Sequence, residues 1–154
     1  MAIQAREKHI LQRWNFRVLI DGFDEDIKFT KVGPLEPELS VAKLREGGSY
    51  IEKKDAGFIT FPPLTLEKGS KIGEDQMYDW FNTTADAISN SGALREDYIK
   101  NMTVEQLNRD GSVAKRYRFF GCFPSKPRFF DLDASSEDFE IESVEIEYEK
   151  MEKI

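Results

Sequence analysis

Apolar and polar residues alternate along much of the chain, and a period of two residues predicts β-strands that bury one face. The pattern is clearest near the start, where the apolar members are Trp14, Phe16, Val18 and Ile20. Asp21-Gly22 then marks a turn, and a short extended segment, 27–32, ends at Gly33-Pro34. We therefore expect one half-buried strand followed by a shorter one.

A long β-hairpin is predicted from about Leu39 to Lys54. Leu39–Glu46 has the composition of a strand, and Tyr50–Lys54 is its predicted return strand. Gly47-Gly48 lies between them, and glycine forms tight turns because it adopts positive φ without a clash at Cβ.

The segment after this hairpin predicts one further strand, carried by Phe58, Thr60, Leu64 and Leu66. Pro62-Pro63 lies inside it, and proline donates no hydrogen bond to a sheet ladder. We therefore expect this strand to be bent or to lie at a sheet edge.

The period changes between residues 74 and 84, which predict an α-helix. Apolar or small residues recur on one side of it: Met77, Trp80, Phe81, Thr84 and Ile88. Met77, Trp80 and Phe81 are the expected core-facing residues, and Glu74 and Asp75 suit the positive end of the helix dipole. Residues 85–96 are expected to form a polar loop.

A second hairpin is predicted around Asp110-Gly111, with Asp97–Arg109 and Ser112–Phe123 as its strands. Asp-Gly is typical of the two central residues of a type I′ turn. This pairing is predicted from local sequence alone.

The final segment, Phe139–Ile154, fits both a helical stripe and an alternating strand. Its β-branched and aromatic residues favour the strand, with a β-bulge at Ser143-Val144 where the alternation changes phase. Such a strand would carry acidic residues along one face: Glu140, Glu142, Glu145, Glu147 and Glu149.

The composition is that of an ordinary globular domain, with 154 residues and a net charge of −7. The acidic balance argues against holding nucleic acid through its phosphates, which requires clusters of Lys and Arg. No apolar run approaches the roughly 20 residues of a membrane span, so no stable membrane insertion is expected, and no export signal is recognised at the N-terminus.

Residues with catalytic or ligand-binding chemistry are few. His9 is the single histidine and has no partner for acid–base work, while Cys122 lies in an apolar run typical of a buried, inert thiol. Asp131, Asp133 and Asp138 lack the spacing of a calcium-binding EF-hand loop, so turn and cap roles are favoured. The sequence predicts no enzyme, no metal and no cofactor.

A chain with this much strand and one helix is expected to have exposed strand edges. Such edges present unpaired backbone groups that another chain can complete. Identical chains that pair head to tail form a closed ring or an open filament. The residues alone therefore indicate a self-assembling β protein.

Several short motifs, in order, resemble the tail tube protein family of contractile-tailed bacteriophages and related injection systems. They include residues 15–22, 44–48, 64–69, 77–81, Asp110-Gly111, 131–136 and 141–146. The resemblance covers about residues 14–150, and the departures are the extension 1–13 and the polar insertion at 85–97.

The resemblance implies a mainly β fold, a barrel or sandwich with one flanking helix, in a single domain (14–154) after an N-terminal extension (1–13). It also implies hexameric rings that stack into a hollow, rigid conduit for DNA ejection inside a contractile sheath. The hairpin would then reach neighbouring subunits through Leu44, Arg45, Glu46, Gly47, Gly48, Ser49 and Tyr50.

Further partners implied by the resemblance are the sheath, a baseplate or tube initiator, a tape measure protein and a tail terminator. The protein would be assembled in the bacterial cytoplasm and reside in the virion tail. The acidic strand could line the bore, where it would repel DNA phosphates, or form the outer solvated face. Two alternatives stay open, a type VI or extracellular injection tube and a small monomeric β-barrel that binds an apolar ligand.

Overall fold

A computed structural model describes residues 10–24, 27–88 and 94–154 of the chain. Within these ranges the elements follow in the order β1 (Phe16–Ile20), β2 (Lys31–Gly33), β3 (Glu38–Arg45), β4 (Glu52–Thr60), β5 (Leu64–Gly69), α1 (Gln76–Ile88), α2 (Arg95–Tyr98), β6 (Lys100–Leu107), β7 (Val113–Arg128), β8 (Ile141–Glu147) and β9 (Lys150–Lys153). The fold is mainly β with one long helix, as the sequence predicts. Residues 1–9 of the predicted extension, which include His9, lie outside the described residues.

The main sheet has seven strands in the order β1-β6-β7-β8-β5-β2, and β9 also pairs with β7. The sixteen-residue strand β7 joins its two parts. The first part of β7 pairs with β6 on one side and β9 on the other, and Phe123–Arg128 pairs with β8. Because side chains from both parts enter one core, the sheet folds over itself into an open sandwich.

The core lies between the two parts of the sheet and α1. Its buried apolar members are Val18, Ile20, Leu64, Leu66, Met77, Trp80, Met102, Phe119, Cys122, Val144, Ile146 and Tyr148. On the helix, Met77 and Trp80 are buried, and the half-buried Phe81 packs against Phe129 with ring centroids 6.0 Å apart. The Trp80 Nε1–H donates to the Tyr98 carbonyl at 2.5 Å, which ties α1 to α2.

Three predicted boundaries are wrong. Phe58 and Thr60 belong to β4, which is longer than the predicted return strand, and Pro62-Pro63 separates it from β5 instead of bending one strand. The strand predicted to end at Phe123 continues to Arg128 as β7. The predicted loop 85–96 holds the last turn of α1 and the start of α2, with residues 89–93 outside the description.

The hairpin between β6 and β7 is confirmed, but its turn is not type I′. The Gly111 N–H donates to the Asn108 carbonyl at 3.0 Å, so Asp110 and Gly111 are the third and fourth residues of the turn. Gly111 has a φ of 88°, and the Asn108 N–H donates to the Ser112 carbonyl at 2.8 Å. This arrangement is a four-residue turn followed by a glycine bulge.

The bulge predicted at Ser143-Val144 is wrong. Strand β8 pairs with β5 through six residue pairs without a register shift. The shift that β8 does show lies in its other neighbour, β7, between Pro124 and Lys126. The pairing partners, which are distant in sequence, decide where the irregularity falls.

The phase of the tail changes instead between β8 and β9. Tyr148 is buried, and Met151 also packs against the core although it lies three residues further on. The opposite point of β7 carries Gly121, whose φ is 68°, and β7 shifts register there against β6. The bend of β7 at Gly121 therefore lies opposite the break between β8 and β9, and the two irregularities change the direction of the sheet at the same point.

Candidate assembly surfaces

Within the described part of the chain, the β3–β4 hairpin pairs only with itself and forms a separate two-stranded sheet. Every residue of β3 is exposed, and so is every residue of β4 except Glu52. The exposed large apolar side chains of the two strands and the turn between them are Leu39, Val41, Leu44, Tyr50, Ile51, Phe58 and Ile59. An isolated two-stranded ribbon is marginally stable in water, so these side chains suit a surface that another chain covers.

The hairpin has defined geometry at both ends. At its tip the Ser49 N–H donates to the Glu46 carbonyl at 3.1 Å, and Gly48 has a φ of 78°. At its base the ladder is bulged opposite Ser40, whose Oγ accepts from the Phe58 N–H at 2.7 Å. A Cβ at Gly57 would lie 2.2 Å from that Oγ, so the bulge requires glycine there.

One part of the main sheet also has two open edges among the described strands. Strands β1, β6, β7 and β9 form a four-stranded antiparallel run, with β1 and β9 at its ends. The Asp21 N–H donates to Asn101, so the odd-numbered residues of β1 face β6. The backbone groups of Phe16 and Val18 consequently point to the side that no described strand occupies.

The same reasoning defines the edge of β9. The Ile154 N–H donates to the Arg116 carbonyl at 2.9 Å, so the even-numbered residues of β9 face β7. The backbone groups of Met151 and Lys153 therefore point outward. This edge was not anticipated from the sequence, because the predicted tail was a single strand with no assigned neighbours.

A cleft of about 750 Å³ opens between the ends of the main sheet, β1 and β2. Its lining is largely apolar and includes Trp14, Phe16, Phe29, Val32 and Leu35. The monomeric barrel hypothesis would place a ligand here. The cleft also borders the free edge of β1, so a chain added at that edge would cover it.

A charged group lies on the outer face of the four-stranded run. Glu105 is buried, and its Oε2 lies 3.0 Å from Arg17 and 3.3 Å from Arg116. Arg118 reaches Asp21 at 3.0 Å and donates to Thr103 at 2.6 Å. This group was not predicted from the sequence. The signal was available, because Glu105 lies on a predicted strand whose neighbouring strands carry Arg17 and Arg116, and opposite charges on adjacent strands form cross-strand pairs.

The predicted acidic residues of the tail do not form one ladder. Glu142 lies on the face of β8 that carries Val144, and its Oε2 is 3.0 Å from the Nζ of the buried Lys68. Glu145 and Glu147 alternate onto the opposite face. The remaining two lie outside β8: Glu140 precedes it, and Glu149 pairs with Arg95.

The relationship of the chain to known proteins follows from its sequence over almost all of its length. The family model for the T4-like virus tail tube protein gp19 matches residues 12–152. The chain belongs to this tail tube family. It is therefore a structural subunit of a tail tube, and its family is one of structural proteins.

Solved structures share the fold of this tail tube protein. A chain of the anti-feeding prophage tube-terminating cap aligns with a TM-score of 0.79 at 22% identity, covering 100% of this chain and 99% of that one. A chain of the sheath–tube complex of the extracellular contractile injection system PVC gives 0.79 at 21%, with coverage of 96% and 93%. Hcp1 from Salmonella typhimurium gives 0.58 at 10%, with coverage of 92% and 86%.

Comparison with curated protein sequences gives no significant match. Within the described part of the tail tube protein, no helix combines the length and apolar character needed to cross a membrane. The chain is a component of a phage or injection-system tail.

Proposed function

We propose that copies of this tail tube subunit join edge to edge into closed rings, and that the rings stack into a hollow tube. The observation that carries the proposal is the four-stranded antiparallel run with two free ends, β1 and β9. With four alternating strands, β9 of one copy runs antiparallel to β1 of the next. Ring closure then removes both free edges of this four-stranded run.

Six copies per ring follow from the family resemblance, and rotational symmetry places the same edge pair at every contact. The exposed hairpin then lies outside the ring sheet, where its apolar side chains can contact neighbouring copies or the next ring. Leu44, Tyr50 and Ile51 at its tip are 61%, 100% and 75% exposed in the single chain. Sharing backbone ladders in this way makes the tube rigid.

The proposed cargo is DNA, passed into a bacterial host while a contractile sheath drives the tube. The net charge of −7 supports a conduit that repels phosphates, because charge repulsion acts over about 8 Å at physiological salt and a narrow bore keeps phosphates close to its wall. A sheath, a baseplate initiator, a tape measure protein and a terminator are the proposed partners, with assembly in the bacterial cytoplasm. Replacing bore-lining acids by lysine is expected to slow ejection, and unchanged ejection rates would contradict this part.

A second candidate is the inner tube of an injection particle that carries no genome. The likeness to chains in the structures of the anti-feeding prophage and of an extracellular contractile injection system favours it. Nuclease-protected DNA in purified particles would support the phage tube, and its absence would support the injection particle.

Ring closure is tested by a proline that blocks only the outward edge. Lys153→Pro removes an N–H that points away from β7, so we expect a folded subunit that fails to form rings. Glu152→Pro is the matched control, because it removes an N–H that faces β7 and should destabilise the subunit itself. Negative-stain microscopy and thermal unfolding measure the two effects.

Normal rings from Lys153→Pro would show that β9 is not the joining edge. A wild-type protein that stays monomeric at high concentration, even with an initiating baseplate, would overturn the proposal as a whole. Uptake of a lipophilic probe into the cleft by such a monomer would favour the ligand-binding barrel.

A further inference from the structure

The two faces of the β3–β4 hairpin differ in charge and partners. On one face Val41 lies opposite Ala56, Lys43 opposite Lys54 and Arg45 opposite Glu52. We call this the basic hairpin face and define it as Leu39, Val41, Lys43, Arg45, Glu52, Lys54 and Ala56. It is apolar near the base of the hairpin and positively charged toward the tip.

Lys43 and Lys54 form a like-charged pair directly across the ladder, and such a pair destabilises an isolated hairpin. No carboxylate in the described ranges forms an ion pair with either lysine, whereas Lys53 on the other face pairs with Glu46 at 2.8 Å. Glu52 opposes Arg45, so the uncompensated charge of this face belongs to Lys43 and Lys54. A partner with negative charge would relieve it.

A complementary surface exists elsewhere on the same chain. Between Arg128 and Lys150 the sequence has no basic residue and many acids: Asp131, Asp133, Glu137, Asp138, Glu140, Glu142, Glu145, Glu147 and Glu149. The segment 129–140, which we call the acidic loop, also exposes large apolar side chains. Phe130, Leu132 and Phe139 are 68%, 72% and 94% exposed.

The acidic loop is held in place on the fold. Phe129 at its start packs against Tyr78 at 5.3 Å and Phe81 at 6.0 Å between ring centroids. Within the loop the Asp133 carboxylate accepts from the Ser135 N–H at 3.0 Å and from its hydroxyl at 2.7 Å. These hydrogen bonds lower the pKa of Asp133, so it stays ionised well into the acidic range.

We propose that the basic hairpin face of one copy docks on the acidic loop of a second copy. Both surfaces are exposed in the single chain, so neither covers the other there. Each combines exposed apolar residues with a net charge, positive on the hairpin face and negative on the loop, and this complementarity fixes the register of a contact. The inference rests on the proposed function and names the contact through which the hairpin serves it.

A charge swap tests the contact. Lys43→Glu with Lys54→Glu is expected to raise the protein concentration needed for tube formation by more than about tenfold, because acids would face acids. Asp131→Lys with Asp138→Lys, which leaves the Asp133 turn intact, should have a similar effect. The four changes together should restore assembly to within a few-fold of wild type.

Lys53→Glu is the matched control, since it makes the same charge change one residue away on the opposite hairpin face. It should leave assembly within a few-fold of wild type, and an effect equal to that of Lys54→Glu would overturn the assignment of the docking face. Thermal unfolding of each variant shows that the subunits fold.

Restoration by the four-residue swap supports the contact. Wild-type tubes together with failed restoration would overturn this inference and leave the proposed tube intact. Unaffected assembly in the Lys43→Glu, Lys54→Glu variant would overturn it as well, and indicate that the basic face meets another protein, such as a sheath. A wild-type chain that never forms rings would overturn both proposals.

Discussion

The side chain of Glu149 lies directly over Gly121. A Cβ added at Gly121 would be 3.0 Å from the carboxyl carbon of Glu149, and the φ of Gly121 is 68°. The Glu149 N–H also donates to the Phe120 carbonyl at 2.9 Å. The segment between β8 and β9 therefore packs against the bend of β7. The backbone angle at residue 121 requires glycine, and an added Cβ would also push the 63% exposed side chain of Glu149 aside.

Gly121→Ala is therefore expected to destabilise the subunit by about 1–3 kcal/mol, through positive φ and crowding against Glu149. Combining it with Glu149→Ala should recover the part that comes from crowding and leave the backbone strain. Urea unfolding at pH 7 measures both.

Gly69→Ala is the control for this change. Gly69 also lies in a strand, but its φ is not in the positive range and nothing lies within 4 Å of a Cβ there. We expect stability equal to or slightly above wild type. If the Gly121→Ala subunit were as stable as the Gly69→Ala subunit, an alanine at position 121 would not strain the backbone, and the prediction would be wrong.

The local features of this fold could be predicted from the sequence. Strand β1 shows its alternation directly, with Val18 and Ile20 buried, and the helical spacing of Met77 and Trp80 matches the buried side of α1. These features depend on the period of side chains within one element. The long hairpin was also predicted from a local signal, the pair of glycines at its tip.

The features that were missed depend on distant strands. Proline at 124 does not end β7, because β7 leaves β6 at Cys122 and pairs with β8 on its other side. The acids of the tail do not share one face of a strand, because pairing with β5 and β7 sets the register of β8. This register places Glu142 beside Lys68. The free edge of β9 follows from pairing with β7, which no local pattern contains.

Lys68 is buried between two carboxylates, Glu142 at 3.0 Å and Glu74 at 3.4 Å. Lys68→Met would leave two acids facing each other without a cation, so we expect a loss of about 2–3 kcal/mol in unfolding free energy. Adding Glu142→Gln should restore part of it. The comparison is made by urea unfolding at pH 7.

Lys71→Met provides the exposed counterpart, because the Lys71 Nζ is 3.9 Å from Glu74 and its side chain is 52% exposed. A change within about 0.5 kcal/mol is expected there. If both substitutions lowered the unfolding free energy equally, burial would not strengthen the ion pairs of Lys68 with Glu74 and Glu142.

Burial raises the pKa of the Cys122 thiol from 9.0 to about 12. Between pH 9 and about 12, the folded state therefore keeps the proton on the Cys122 thiol, whereas the unfolded state loses it. The stabilisation is fully present below pH 9 and is lost as the pH rises toward about 12. We expect unfolding free energy to decline over this range, and to decline less steeply in Cys122→Ala.

Alkylation gives an independent measure of Cys122. At pH 8 its thiolate fraction is roughly a thousandfold below that of an ordinary thiol, so iodoacetamide should react very slowly with the native protein. Leu132→Cys in a Cys122→Ala background is the exposed control, since Leu132 is 72% exposed. Equal rates at the two positions would show that residue 122 is accessible.

Replacing Gly48 tests the hairpin tip apart from the core. Its φ of 78° disfavours an L side chain, and no other strand that the structure describes pairs with the hairpin. Gly48→Val should therefore distort the tip while tryptophan fluorescence and the thermal midpoint stay near wild type, and tube formation should fall. Gly47→Ala should assemble normally, because Gly47 has no positive φ and a Cβ there meets nothing within 4 Å. Full-length tubes from Gly48→Val would exclude the tip, including Tyr50, from the contacts between copies.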